Sequence, residues 1–230
     1  MSPRGPARDA RPVYVFALCS ADAVAAGRIG RHRLEAIELD GMVAIVERRS
    51  APPILSEHAL REQHRVVVEL HRRSDALIPV RFGAFLERAE LEDVVRRRHA
   101  VLARGLKRVR GRAQMTIRSF GATVRRERAP RATTGTAYLA QRARAARPDV
   151  PPALEAVRRA VRPLVVGEVV DAGRGSVRIV INHLVRVSDV ERYRARVERV
   201  LAGVPSGHSV VLSGPYPPFA FAPEIMDPTS

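Results

Sequence analysis

The sequence predicts an α+β protein of two domains, the C-terminal one ferredoxin-like, with an antiparallel sheet and its helices on one face. Three observations predict it. Period-two apolar runs and helical stripes succeed one another along the 230 residues, so strands and helices are interleaved. Asp40-Gly41 sits between two apolar runs, a hairpin signal because glycine accepts positive φ at the turn. The second half spells strand, helix, strand, strand, helix, strand (βαββαβ), the ferredoxin-like order. The expected organisation is a disordered tail at 1–11, an N-terminal α+β domain at 12–110, the ferredoxin-like domain at 111–222 and a tail at 223–230.

The elements follow in chain order. Val13 to Leu18 is β-branched and aromatic, hence a strand, and Asp22 to Gly27 is a short helix or turn. Leu34 to Leu39 alternates and pairs through Asp40-Gly41 with Met42 to Val46, and Pro52-Pro53 closes this unit. Ser56 caps the next helix, with Glu57 in its first turn and Leu60, His64, Val67, Val68 and His71 on one face. Leu77 to Gly83 is extended, and Pro79 confines it to a sheet edge or a strand entry. Glu90 to Arg110 is a long helix with Leu91, Val95, Leu102, Leu106 and Val109 inward, acidic at its start and basic at its end.

After Gly111 the pattern restarts. Ala113, Met115 and Ile117 alternate with Gln114, Thr116 and Arg118, which makes a strand. Gly121 to Thr134 is a charged loop; Ala137 to Arg147 and Ala153 to Val161 are helical, with prolines between. Leu164 to Val170 is a strand, Asp171 to Gly175 a turn, and Val177, Ile179 and Ile181 mark a strand that runs towards Val187. Ser188-Asp189-Val190-Glu191 reads as a capping box before a helical stripe of Val190, Tyr193, Val197 and Val200. His208 to Ser213 is the last strand.

The 46% apolar content supports a packed core, and no apolar run approaches a membrane span, so no membrane partner is expected. No secretory signal stands at the N-terminus, and the single cysteine, Cys19, allows no internal disulfide; the expected location is cytoplasmic. The net charge of +16 raises a nucleic-acid-binding module as the alternative function. Yet Lys107 is the only lysine, a bias towards arginine that a GC-rich genome also produces, so nucleic acid is not the favoured partner. The strands that would stack bases in an RNA-binding domain, Gln114 to Arg118 and Arg178 to Asn182, carry no aromatic residue.

No catalytic constellation has workable spacing, and no phosphate-binding glycine motif occurs, so the chain reads as non-enzymatic, with no cofactor and no metal. His64 and His71 are two helical turns apart, too far for joint chelation. Cys19 ends an apolar strand and reads as buried and inert. Arg96-Arg97-Arg98 and Arg125-Arg126-Glu127-Arg128 read as solvated surface.

Two segments resist this accounting: Leu77-Ile78-Pro79-Val80-Arg81-Phe82-Gly83, and Ser213-Gly214-Pro215-Tyr216-Pro217-Pro218-Phe219-Ala220-Phe221. The second packs three prolines and three aromatics into a chain that is only 4% aromatic. Proline fixes φ and removes donors, so this segment leaves the sheet stiff, with Tyr216, Phe219 and Phe221 available to pack.

At these motifs the sequence resembles the gas vesicle protein F/L family, over residues 12 to 222. Val13 to Phe16 and Gly41 to Val46 look like its N-terminal strand and its second hairpin strand, and Leu77 to Gly83 is similar to its "lPvRFG" signature. Gly135-Thr136-Ala137-Tyr138-Leu139 resembles "SGxxYL", and Ser213 to Phe221 resembles "TGPWPPYSF", with Tyr216 where tryptophan is usual. The resemblance implies a non-enzymatic accessory protein with an N-terminal α+β domain and a modified ferredoxin-like domain. F-type members bind the small hydrophobic shell protein at the gas-facing surface; L-type members contact several accessory proteins. The implied partners are therefore the gas vesicle shell protein and other accessory proteins. The expected contact surface is a groove between the domains floored by Arg81, Phe82, Tyr216 and Phe219.

Overall fold

The computed structural model describes residues 12–21, 27–120, 150–203, 209–223 and 225. The expected loop at 121–134, the helix at 137–147, the motif Gly135 to Leu139, the tail at 1–11 and most of the segments 22–27 and 223–230 lie outside the described residues. The chain forms two compact units, Met1–Arg112 with Tyr216–Ser230, and Ala113–Pro215. The order of elements along the sequence assigns Tyr216 to Ala222 to the second domain instead.

The first unit is built on β1 (Val13–Ser20), all eight of whose residues are buried. Alternate side chains of a strand point to opposite faces, so both faces of the sheet are covered there. Two short strands, β2 (Arg28–Ile29) and β3 (His32–Arg33), pair with each other. The main sheet has the order β4-β5-β1-β6, with β4 (Glu35–Leu39), β5 (Met42–Arg48) and β6 (Leu77–Pro79); β7 (Phe85–Leu86) also pairs with β1. All these pairings are antiparallel. The β4–β5 hairpin closes at Leu39↔Met42, and both turn residues have positive φ, 45° at Asp40 and 76° at Gly41. That is the two-residue turn whose twist matches the strands.

Helix α1 (Glu57–Arg72) is capped as the sequence predicts: the Ala59 amide donates to Ser56 Oγ at 3.1 Å. Its phase differs from the expected one. The buried stripe is Gln63, Val66, Val67 and Leu70, while Leu60 and His64 face outward. The polar Gln63 sits in the core because Tyr14 and the Val80 carbonyl give it partners. Helix α2 (Arg88–Val109) buries the predicted residues and starts with a capping box in which the Glu87 amide donates to Glu90 at 3.0 Å. No described helix is long and apolar enough to cross a membrane.

The second unit has a four-stranded sheet in the order β11-β8-β10-β9. Its strands are β8 (Arg112–Phe120), β9 (Val165–Ala172), β10 (Val177–Arg186) and β11 (Ser209–Tyr216). Helices α3 (Pro152–Val161) and α4 (Val190–Leu201) pack on each other and on this sheet. Leu154, Val157, Val161, Tyr193 and Val197 join Met115, Ile117 and Ile181 in one apolar core. On the opposite side of β8 the alternation places Gln114 and Thr116, and these are buried too; both hydrogen-bond Asn182 Oδ1, at 3.0 and 2.9 Å.

Three local expectations are corrected here. The capping box at Ser188 does not form: Val187–Asp189 is a 3-10 turn, Asp189 precedes α4, and its carboxylate pairs with Arg192. The turn expected from Asp171 starts later, because β9 runs to Ala172. The last strand does not stop at Ser213 but continues to Tyr216 through Gly214-Pro215, whose peptide bond is cis. Proline is tolerated because β11 is an edge strand. Gly214 is required at φ 117°, where a Cβ would stand 2.7 Å from the Gln114 carbonyl oxygen.

Candidate functional site

The proline-aromatic segment is held at both ends within the first unit. Pro217 and Pro218 are buried, and the turn Phe219–Phe221 is closed by Phe219 N–H to Pro217 O at 2.8 Å and Phe221 N–H to Pro218 O at 3.0 Å. Phe221 is buried, with the Arg108 guanidinium 5.4 Å from its ring centroid. Pro223 then lies against α2 at Gly105, where a Cβ would come within 2.9 Å of its Cδ. Ile225 is buried as well, and its carbonyl accepts from Arg98 at 3.3 Å.

Anchored this way, the segment presents Tyr216 and Phe219 to α1. The His64 ring lies 5.9 Å from Tyr216, edge-on, and 5.8 Å from Phe219, stacked. Phe219 remains 40% exposed. Leu60, one turn before His64 on the same helical face, is 44% exposed, and Ile54 and Leu55 just ahead of α1 are 87% and 71% exposed.

Phe82 belongs to a second aromatic group, around Tyr14. It meets Tyr14 edge-on at 6.1 Å, and Tyr14 meets Phe16 at 5.0 Å. The Tyr14 hydroxyl donates to Gln63 Oε1, Gln63 Nε2 donates to the Val80 carbonyl at 2.8 Å, and the Gly83 amide donates to the hydroxyl at 3.4 Å. Burial pushes the Tyr14 hydroxyl above its ordinary value. A cavity of about 240 Å³ opens here, lined by Tyr14, Phe16, His32, Ile54, Glu62 and Phe82. Arg81 is exposed beside it in sequence. The structure therefore brings Tyr216 and Phe219 together across His64, and places Phe82 in a separate aromatic group; no ring contact links the two among the described residues. Sequence reasoning missed His64, Ile54 and Leu55. No local signal marked them: Leu60 and His64 share the helical spacing of an inward stripe, and Ile54 and Leu55 precede the helix.

The second unit holds a polar chain that the sequence did not suggest. The Tyr193 hydroxyl donates to His183 Nδ1 at 2.6 Å, His183 Nε2 donates to Glu168 at 2.8 Å, and Arg158 donates to Glu168 at 2.8 and 2.5 Å. Hydrogen bonds from Arg158 hold the Glu168 carboxyl down to about 2. Burial lowers the His183 value, partly offset by Glu168, and burial raises the Tyr193 hydroxyl. Both Tyr193 and His183 are closed to solvent, so the chain ties α4 to β10 and β9 rather than offering a reactive group. The Cys19 thiol is likewise buried and pushed up to about 12. Among the described residues no group of three or more His, Cys, Asp or Glu could hold a metal ion.

Residues 12–223 match the family of gas vesicle synthesis proteins GvpL/GvpF. The chain belongs to this family. Its fold is similar to the crystal structure of the gas vesicle protein GvpF from Anabaena sp. PCC7120, with a TM-score of 0.71 at 12% identity, covering 93% of this chain and 98% of that one. It is also similar to GvpF from Microcystis aeruginosa, with a TM-score of 0.69 at 12% identity, covering 92% and 99%. No curated protein matches. A GvpL/GvpF assignment fits the two segments, Leu77 to Gly83 and Ser213 to Phe221, that local propensity leaves unaccounted for. The nucleic-acid alternative finds no support in the family or in the fold.

Proposed function

We propose that this chain is a non-enzymatic accessory protein of gas vesicle formation that works in the cytoplasm and binds the small hydrophobic shell protein, alone or with other accessory proteins. Family membership over residues 12–223 carries the reading. The second unit is read as a ferredoxin-like domain: with β8, β9, β10 and β11 as its successive strands, the order β11-β8-β10-β9 is 4-1-3-2, with two helices on the core side. The contact surface is the outward face of the first unit at Tyr216, Phe219 and His64, extended towards Phe82 and Arg81. Exposed Leu60 and Phe219 favour an apolar occupant, and the buried prolines hold the rings in place without an ordering cost on binding.

The test is co-expression with the shell protein and capture at low and high salt. Apolar contact survives high salt; a phosphate-driven contact weakens by about 0.9 log units per log unit of salt for each phosphate neutralised. The double variant Tyr216→Ala, Phe219→Ala should lose capture while keeping its far-ultraviolet circular dichroism. Retained capture by a folded double variant would sink the assignment of this surface, and nucleic acid co-purifying in place of shell protein would sink the function.

A further inference from the structure

Sheet edges invite further strands, and folded proteins guard them with charge, proline or shortness. Three of the edges described above are guarded. β4 carries Glu35 and Glu38, β6 has three residues ending in Pro79, and β11 contains Pro215. β9 is the least guarded over its first six residues, Val165 to Val170. The strand has eight residues with no proline, lysine or arginine; its acids are Glu168 and, near its far end, the exposed Asp171; and it pairs regularly with β10 from Gly167 to Ala172, with no strand on its other side among the described residues. Its Glu168 does not act as an outward charge, because Arg158 and His183 hold it. Val166 is 44% exposed on the same strand.

Beside this edge lies a cleft of about 500 Å³, bounded by Val165 to Glu168 and by Arg158, Arg159 and Arg162 at the end of α3. Arg158 is committed to Glu155 and Glu168. Arg159 and Arg162 are exposed and have no ion-pair partner among the described residues. The edge therefore offers backbone donors and acceptors, an apolar contact and two uncommitted positive charges together.

We infer that the free edge of β9, flanked by Arg159 and Arg162, is a docking site for an extended, acidic segment of a partner protein, which adds as a further strand of this sheet. Backbone pairing supplies the register, Val166 takes an apolar side chain, and the arginines select carboxylates over neutral or basic segments. The site lies within the second unit and does not rest on the apolar surface at α1.

The probe is a short, labelled peptide of alternating valine and glutamate, titrated into the full chain by fluorescence anisotropy and followed by hydrogen exchange. Binding should slow exchange across Val165–Ala172. The same peptide with every backbone amide N-methylated keeps its charge but cannot pair, and should not bind. The variant Arg159→Glu, Arg162→Glu should bind about tenfold more weakly, since two attractive rim charges become repulsive. Equal binding of the methylated peptide would reduce the site to unspecific charge and overturn the inference. So would binding without slowed exchange in β9, no binding at all, or undiminished binding by the variant.

Discussion

Tyr14 in the first unit and Tyr193 in the second are both buried, and each hydroxyl is satisfied by a buried side chain, yet the two partners differ in kind. Tyr14 meets Gln63, a neutral amide that passes the connection to the Val80 carbonyl. Tyr193 meets His183, which passes it to Glu168 and Arg158 and so to the surface. One core fastens its strand to its helix by neutral groups that do not titrate near neutrality. The other uses an imidazole held neutral by burial and a carboxylate held charged by Arg158. The same problem, a phenol that cannot be buried unpaired, is solved by an amide in one unit and in the other by a neutral imidazole that a carboxylate orients.

The largest expected effect breaks both fastenings at once. Tyr14→Phe leaves the Gln63 oxygen without its buried donor, and Tyr193→Phe does the same to His183 Nδ1. Each should cost about 1–3 kcal/mol of unfolding free energy, the desolvation penalty of one orphaned buried group, measured by denaturant unfolding. A loss below about 0.5 kcal/mol in either would mean that water replaces the phenol there.

A smaller effect separates the two units at their helix starts. Ser56→Ala should cost about 1 kcal/mol, because Ser56 accepts from the Ala59 amide. Ser188→Ala should cost no more than about 0.3 kcal/mol, since its side chain makes no cap bond to α4 and is exposed. Equal losses would show that a capping box forms at Ser188 in solution.

The smallest effect is confined to acid and sharpens the comparison residue by residue. Burial lowers both His71 on α1 and His183 on β10 below the ordinary 6.5, so the folded chain disfavours their protons. The unfolded chain takes those protons first as pH falls through 6.5, and stability declines from there. Glu168, held to about 2, adds a further loss as pH falls from its ordinary 4.5 towards 2. Glu47 in the first unit acts in the same direction, since hydrogen bonds from His32 and Arg49 outweigh its burial. Of these two histidines, His183 has a carboxylate beside it that favours its proton, while burial acts alone on His71. Glu168→Gln should therefore lower the His183 value further in an NMR titration and leave His71 where it is. A shift of both, or of neither, would break the assignment of the Glu168–His183 pair.

The elements that could be read along the chain are those whose causes are local. Asp40-Gly41 announces its turn because two adjacent positive φ values are a matter of two residues. Leu91, Val95, Leu102, Leu106 and Val109 lie at helical spacing and are buried at that spacing. The phase of α1 was not legible, because a buried glutamine makes sense only when Tyr14 and Val80, 49 and 17 residues away in the chain, are in place. Ser188 had the right spacing for a cap, but a 3-10 turn took over its residues. Of the candidate site, Tyr216 and Phe219 stood out in the sequence because they lie in a segment dense in proline and aromatic residues. Their neighbour His64 was not, because it belongs to a helix read as facing inward. The Tyr193–His183–Glu168 chain left no trace, its members lying on three separate elements.

The assignment of Tyr216–Ser230 to the first unit has a consequence for how the molecule comes into being. A ribosome delivers the second unit in full while the first is still missing a piece. Until Tyr216 to Pro223 emerge, the seats of Phe221 and Pro223 on α2 stand open, with apolar surface facing water. The unit that begins first is completed last, and the rings of Tyr216 and Phe219 reach His64 only after the whole of the second unit has been made.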